Sequence, residues 1–503
     1  MKEECKILKD SDEPEIGEKK KILVKGDDLT PINIYAYGVG HVPNDITISL
    51  WFNFTVYFLT DIVGVSNRSA GLVILYGQLA DAFITPLVGI ASDRFNSPTW
   101  GKRTPFYIAG VIILLSGFFF TYIRYPFSVD PTNMDSAGVV FYYAFFGSLF
   151  NIGFAIVQIS YQSLLPSLSV NRKSKDAMVR IRTGFRFKSQ LLSMIISSFY
   201  FYFVEDKFLS FKCLTFSCII IGLVCSSIYL NWCRELELTK NNDVYYQKFI
   251  SKLINQGKYI EESAKSHIDK FSIKYWLTNS TFIVVFLVHC CIHIVANVSM
   301  AFIPYYMENI LGVEKPIYGG VPYEISVYFV FSTIGSIFNA YYIQHHIEKH
   351  KNSRILMISF ALLFTIFGTL PMIITSASFN YPIYLYSFIL GIGISLALSI
   401  DSILTNDIVG NQGASSGAFV FAFYGLGDKV LVGVVIALLM EYIKDDYYWL
   451  KIFFPVFLSA LILIGLILIF ISNFLITKSK LEENDNLELL LDNSRLTFES
   501  VYE

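Results

Sequence analysis

The sequence predicts an all-α membrane protein, with twelve transmembrane helices in two six-helix bundles. Three observations predict it. Of 503 residues, 54% are hydrophobic and only 16% charged, where soluble domains carry about 25% charged residues. Apolar runs of about 20 residues, the length that crosses a bilayer, recur along the whole chain. A polar stretch, Glu235–Lys274, is too hydrophilic to cross and divides those runs six and six.

Taken in order, the spans are expected at 34–63, 70–92, 105–125, 138–165, 183–204 and 209–232, then at 277–306, 322–345, 354–376, 381–404, 415–441 and 448–476. These limits give an N-terminal tail over 1–32, a first bundle over 33–232 and a central loop over 233–275. A second bundle over 276–477 and a C-terminal tail over 478–503 follow. Loops on the N-terminal side of the membrane are basic: Lys102-Arg103, Arg172-Lys173-Ser174-Lys175, the central loop and Lys349–Arg354. The opposite loops hold mostly single cations such as Arg68, Lys207 and Lys315. Positive loops stay in the cytosol, so both termini and the central loop are expected there. The first 30 residues lack an apolar core, so no cleavable signal is expected. The seven cysteines lie in the tail (Cys5) or in and beside spans, which predicts no disulfide framework.

A net charge of −2 gives no nucleic-acid footprint. There is no Ser-His-Asp cluster, metal signature or phosphate loop, so an enzyme is not expected, nor is a cofactor. The chemistry sits instead in charges inside the spans. Asp45 lies in the first, Asp81 in the second, Gln158 in the fourth, Asp401 in the tenth, and Asp428 with Lys429 in the eleventh. Arg182 and Arg186 open the fifth span one turn apart. A carboxylate at a helix centre costs about 2.5–3.5 kcal/mol to insert, and such residues persist where something binds them or moves past them. Fixed ion pairs between helices are the plainer reading of any one of them, and Arg182 and Arg186 also read as topology anchors.

Glycines near these charges carry two readings. Gly38, Gly40 and Pro43 precede Asp45; Pro86 and Gly89 follow Asp81; Gly391 and Gly393 fall in the tenth span; Gly425, Gly427 and Gly433 surround Lys429. They either break helices so that backbone lines a cavity, or let helices pack closely. Gly89, Asp93 and Arg94 with the turn Gly101-Lys102-Arg103 read as a cytosolic gate. Gly89 admits a neighbouring helix, and Asp93 pairs across the closed gate. His289 and His293, one turn apart beside Cys290 and Cys291, invite a metal reading. No carboxylate stands nearby in sequence to complete it, so no metal is expected and His293 reads as lining a pocket. In the C-terminal tail, Asp485 to Leu490 forms an acidic-dileucine pattern of the kind trafficking adaptors read.

The motifs Tyr37-Gly38-Val39-Gly40 with Asp45, Thr60-Asp61-Ile62-Val63-Gly64, Asp81–Pro86–Gly89–Asp93-Arg94 and Trp100-Gly101-Lys102 resemble those of the major facilitator superfamily, in its glycoside–pentoside–hexuronide cation symporter branch. The resemblance covers nearly all spans and implies the major facilitator fold. Within the branch the chain is most similar to a lysosomal and melanosomal cysteine transporter. The resemblance implies substrate contacts at Asp45, Gln158 and Arg182, and coupling at Asp81 and Lys429, with Asp428 beside it. Two positions depart from the pattern. Thr85 stands where sodium–sugar symporters carry a second coupling Asp, and Gln158 replaces a sugar-binding carboxylate.

The expected function is therefore transport of a small polar organic solute, cysteine or a related amino acid, by alternating access. It is expected in the membrane of a lysosome or related organelle, coupled to protons rather than Na+, as a monomer. A cation-coupled sugar or lysolipid symporter of the same branch, and a non-transporting scaffold or receptor, are the alternatives. The plasma membrane is the alternative location.

Overall fold

The computed structural model describes residues 29–95, 97–127, 133–169, 172–238, 273–313, 321–347, 353–409, 414–443, 448–465 and 467–471. The acidic-dileucine pattern, most of the N-terminal tail and most of the central loop lie outside them. Among the described residues the chain is helical, and its only β features are isolated bridges at Ser97–Gly101 and Ser376–Phe379. Ten of the described helices are long and apolar enough to cross a membrane. The helices at the fifth and eighth expected positions fall short of that measure. Arg172–Phe203 is crowded with cations over its first half, and Tyr323–Phe338 covers 16 residues before a π-helical turn at Asn339–Ile343.

The chain divides into two compact units, Met1–Ser266 with Lys315–Val327, and His267–Glu314 with Tyr328–Glu503. The first unit contains α1 (Pro31–Val39), α2 (Val42–Tyr57), α3 (Asn67–Arg94), α4 (Thr104–Thr121), α5 (Ala137–Leu168), α6 (Arg172–Phe203) and α7 (Lys207–Trp232). Local sequence sets the helix starts. Thr30 and Asn33 form a reciprocal capping box at α1, and Ser66 and Asp206 cap α3 and α7. Within the unit, α5 packs on α3 and α4, while α1 and α2 lie against α6 and α7. The second unit holds α8 (Ile273–Thr278), α9 (Ser280–Asn309), α10 (Tyr323–Phe338, continued to Ile347 through its π-turn), α11 (Ser353–Thr369), α12 (Pro382–Val409) and α13 (Ala414–Ile443), then a last span, Trp449–Ile471. The first residues of α10 group with the first unit. Here α12 packs on α11, and α9 packs on α12 and α13.

The glycines resolve differently from site to site. In the first span the break is real: α1 ends at Val39, α2 starts at Val42, and a Cβ on Gly40 would meet the Tyr229 ring at 2.5 Å. Tyr107 Oη donates to the Gly40 carbonyl at 2.7 Å and holds the break open. In the tenth span no break exists, because α12 runs unbroken through Gly391 and Gly393. A Cβ on Gly391 would lie 1.9 Å from the Ser332 carbonyl oxygen, so this glycine serves close helix contact. Likewise α3 continues through Pro86, and α13 through Gly425 and Gly427. Gly89 corrects an expectation: nothing lies within 4 Å of where its Cβ would stand, so within the described structure it admits no close neighbour.

These contacts set a stability prediction. Gly391→Ala is expected to cost about 1–3 kcal/mol by overpacking, read as a lower melting temperature of the purified protein in detergent. Gly425→Ala, with open space around it, is the control and is expected to leave the melting temperature unchanged or slightly raised.

Candidate functional site

The first unit gathers its buried charge where the first span breaks. With Gly40 ending α1, His41 stands at the start of α2, and Asp45 follows one helical turn later. The two meet at 3.0 Å, His41 Nδ1 to Asp45 Oδ1, with both side chains at most 5% exposed. From α6, Arg182 and Arg186 lie near enough to act on Asp45 through their charge. Arg182 acts also on Tyr37 and Tyr161, whose rings stack at 4.4 Å. Tyr161 Oη donates to the Tyr37 carbonyl at 2.6 Å, and its ring lies 5.0 Å from that of His41. A Cβ on Gly38 would meet Ile181 at 2.5 Å, so this glycine lets α1 approach the helix that carries the arginines.

Three atoms of this group are buried without a hydrogen-bond partner among the described residues: Asp45 Oδ2, His41 Nε2 and Arg182 Nε. Buried polar atoms are nearly always satisfied, and leaving one unmade costs about 1–3 kcal/mol. An acceptor, a ring nitrogen and a guanidinium N–H left open together suit a ligand carrying both charges. Arg186 keeps accessible surface while Asp45 is buried. Gln158 lies half-buried on α5, the helix that carries Tyr161. His41 was legible only as a neighbour of Asp45; the helix break that lines the pair up on one face was the available signal.

Asp81 is 2% exposed within α3. Thr85 Oγ1 donates to Asp81 Oδ1 at 3.1 Å and shares its hydrogen with the Asp81 carbonyl at 2.9 Å. The hydroxyl thus sets a neutral donor one turn from the carboxylate and adds no second negative charge.

The basic turn closes on a carboxylate from beyond α7. Gly101 takes φ +86, a conformation that favours glycine, and folds the turn around the Glu235 carboxylate. That carboxylate accepts from the backbone of Lys102 at 2.8 Å, Arg103 at 2.9 Å and Thr104 at 2.7 Å, and from Thr104 Oγ1 at 2.8 Å. It is 6% exposed and sits at the N-terminus of α4, where the helix dipole favours an anion. The Arg103 guanidinium donates to Ser92 Oγ on α3. Arg94 and Lys102 are exposed; the side chain of Asp93 lies outside the described set. The sequence reading missed Glu235, which it placed at the edge of the central loop.

In the second unit, His293 and Asp428 lie together, His293 Nδ1 3.0 Å from Asp428 Oδ2. His289 joins them on the same face of α9, its ring centroid 4.2 Å from that of His293. Asp401 from α12 completes the group, its oxygens 2.9 and 3.0 Å from His289 Nδ1. The carboxylates missing around these histidines in sequence are thus supplied by α12 and α13. Lys429 follows Asp428 and is half-buried.

A family model described as MFS/sugar transport protein matches residues 36–448. Human major facilitator superfamily domain-containing protein 12 is 25% identical over 435 residues, covering 81% of this chain and 84% of its own. The mouse sodium-dependent lysophosphatidylcholine symporter 1 is 25% identical over 193 residues, 38% of this chain and 34% of that protein. The xylose transporter of E. coli, in an inward-open structure, shares the fold with a TM-score of 0.59 at 13% identity, covering 86% of this chain and 95% of that one. These relatives are multi-pass membrane transporters and not enzymes, and the apolar helices described above agree with that. The chain belongs to the major facilitator superfamily, in the family described as MFS/sugar transport protein.

Proposed function

We propose that this transporter carries a small zwitterionic solute of the amino-acid class, with cysteine the first candidate, by alternating access. The observation that supports it best is the group His41–Asp45–Arg182, where a buried carboxylate and a guanidinium both keep unpartnered atoms. In this reading Asp45 receives an ammonium, Arg182 a carboxylate, and Gln158 a polar substituent, while Asp81 and Lys429 supply the coupling charges. The similarity to human major facilitator superfamily domain-containing protein 12 over four-fifths of the chain supports the same direction, as does the sequence resemblance that implies cysteine.

Thr85 supports coupling to protons rather than sodium. A sodium ion between helices needs a dense set of negative oxygens, and one carboxylate beside a hydroxyl offers half the charge of two acids. A lysosome-related membrane, with both termini cytosolic, is the location this reading assigns. Reconstitution into liposomes tests it. Radiolabelled cysteine uptake is expected to saturate, to be competed by other amino acids, to rise with an inward proton gradient and to ignore sodium. Sodium-dependent uptake of a sugar or of lysophosphatidylcholine, with no cysteine flux, overturns it.

A further inference from the structure

We propose that His289, His293 and Asp428 form a binding site for a divalent transition-metal ion of the zinc class, with Asp401 orienting His289. The site stands apart from the substrate reading above and uses none of the first unit's residues.

The ligand atoms are already close to a metal's spacing. Bonds of about 2.0–2.1 Å at tetrahedral angles separate neighbouring ligand atoms by about 3.4 Å. Here Asp428 Oδ2 stands 3.0 Å from His293 Nδ1 and 3.5 Å from His289 Nε2. All three ligand atoms lie within 4.8 Å of one another. Two histidines one turn apart on α9 supply the pair, and α13 crosses them with the carboxylate.

Asp401 fixes the tautomer. Both of its oxygens face His289 Nδ1 at hydrogen-bond distance, so Nδ1 carries the proton and Nε2 presents its lone pair inward. A metal-bound histidine characteristically donates its other N–H to a carboxylate in this way. Asp401 also stands 3.6 Å from His293 Nε2.

The unsatisfied atoms separate a metal from protons. His289 Nε2 and Asp428 Oδ1 are both buried without a hydrogen-bond partner among the described residues. Protonating both rings leaves that nitrogen 3.5 Å from its nearest carboxylate oxygen, too long for a hydrogen bond, and leaves Asp428 Oδ1 open. A metal ion held at the three ligand atoms takes up that nitrogen. It also neutralises the two carboxylates, whose charges are expensive at membrane depth. The nitrogen and oxygen donors favour zinc, cobalt or nickel over calcium or magnesium.

The test uses the full-length protein, purified in detergent and stripped with chelator, then titrated with Zn2+ by calorimetry and with Co2+ by visible spectroscopy. One ion per chain is expected, with the d–d bands of four- or five-coordinate cobalt and no thiolate charge-transfer band. His293→Ala is expected to abolish binding, and Asp401→Asn to weaken it about 10–100-fold. Absence of saturable binding overturns the proposal and leaves protons as the occupant. A thiolate band, or binding lost in Cys290→Ser and Cys291→Ser but kept in His293→Ala, overturns it as well. If His293→Ala fails to fold, the wild-type cobalt spectrum and Asp401→Asn still decide.

Discussion

Asp45→Asn is expected to reduce transport by about two to three orders of magnitude while leaving the protein folded. Removing one partner from a buried charged group costs about 3–5 kcal/mol, and each 1.4 kcal/mol is tenfold in an equilibrium constant. Arg182 and Arg186 both act on Asp45, so neutralising it leaves two guanidiniums without their central counter-charge. The loss has two parts. One falls on the ammonium of a bound solute, which loses its ionic acceptor. The other falls on His41, which keeps a 3.0 Å neighbour but no longer a charged one. The substituted amide retains the carboxylate's shape and one acceptor, so the protein is expected to stay folded by gel filtration while its melting temperature in detergent falls. Arg182→Ala is expected to match it in transport, because both residues hold the same bound solute. Transport by Asp45→Asn at half the wild-type rate or above refutes the assignment of Asp45 to the substrate.

Where sequence and structure diverge, the reason is distance along the chain. The spans were legible because burial in lipid demands about 20 apolar residues in a row, and that demand is local. Asp45 and Asp81 were legible because a carboxylate in such a run is conspicuous. The histidines of α9 were visible as a pair, but their carboxylates stand more than a hundred residues away, and only the packing of α12 and α13 on α9 brings them in. The glycines were ambiguous for the same reason. Gly391 looks like a helix breaker until the Ser332 carbonyl is seen against it. Gly40 does mark a break, because the Tyr107 hydroxyl takes up its carbonyl. Composition does not separate these two cases, since the deciding atom belongs to another helix each time.

Glu235→Ala is expected to destabilise the first unit by about 3–5 kcal/mol. The Glu235 carboxylate accepts from three consecutive backbone N–H groups and one hydroxyl at the start of α4. Charge-assisted hydrogen bonds are worth about twice neutral ones. Buried donors left unmade cost about 1–3 kcal/mol each, so even partial rescue by water leaves a loss of this size. Gly101 makes the grip possible: any Cβ there would lie 2.5 Å from the Glu235 carboxyl carbon, on a backbone with φ +86. Gly101→Ala is therefore expected to mimic Glu235→Ala. Glu235→Gln is expected to fall between, because the amide keeps one acceptor and turns its other end into a donor facing donors. Melting in detergent ranks the three. The consequence for transport follows from what the carboxylate joins. It lies just beyond α7 and holds the first turn of α4, while Arg103 of the same turn reaches Ser92 on α3. The basic turn, expected as a latch that opens, thus carries contacts that would rivet the starts and ends of these three helices together. If Glu235→Gln speeds transport without loss of stability, the turn is a latch after all; if it slows transport in step with the melting temperature, the rivet stands.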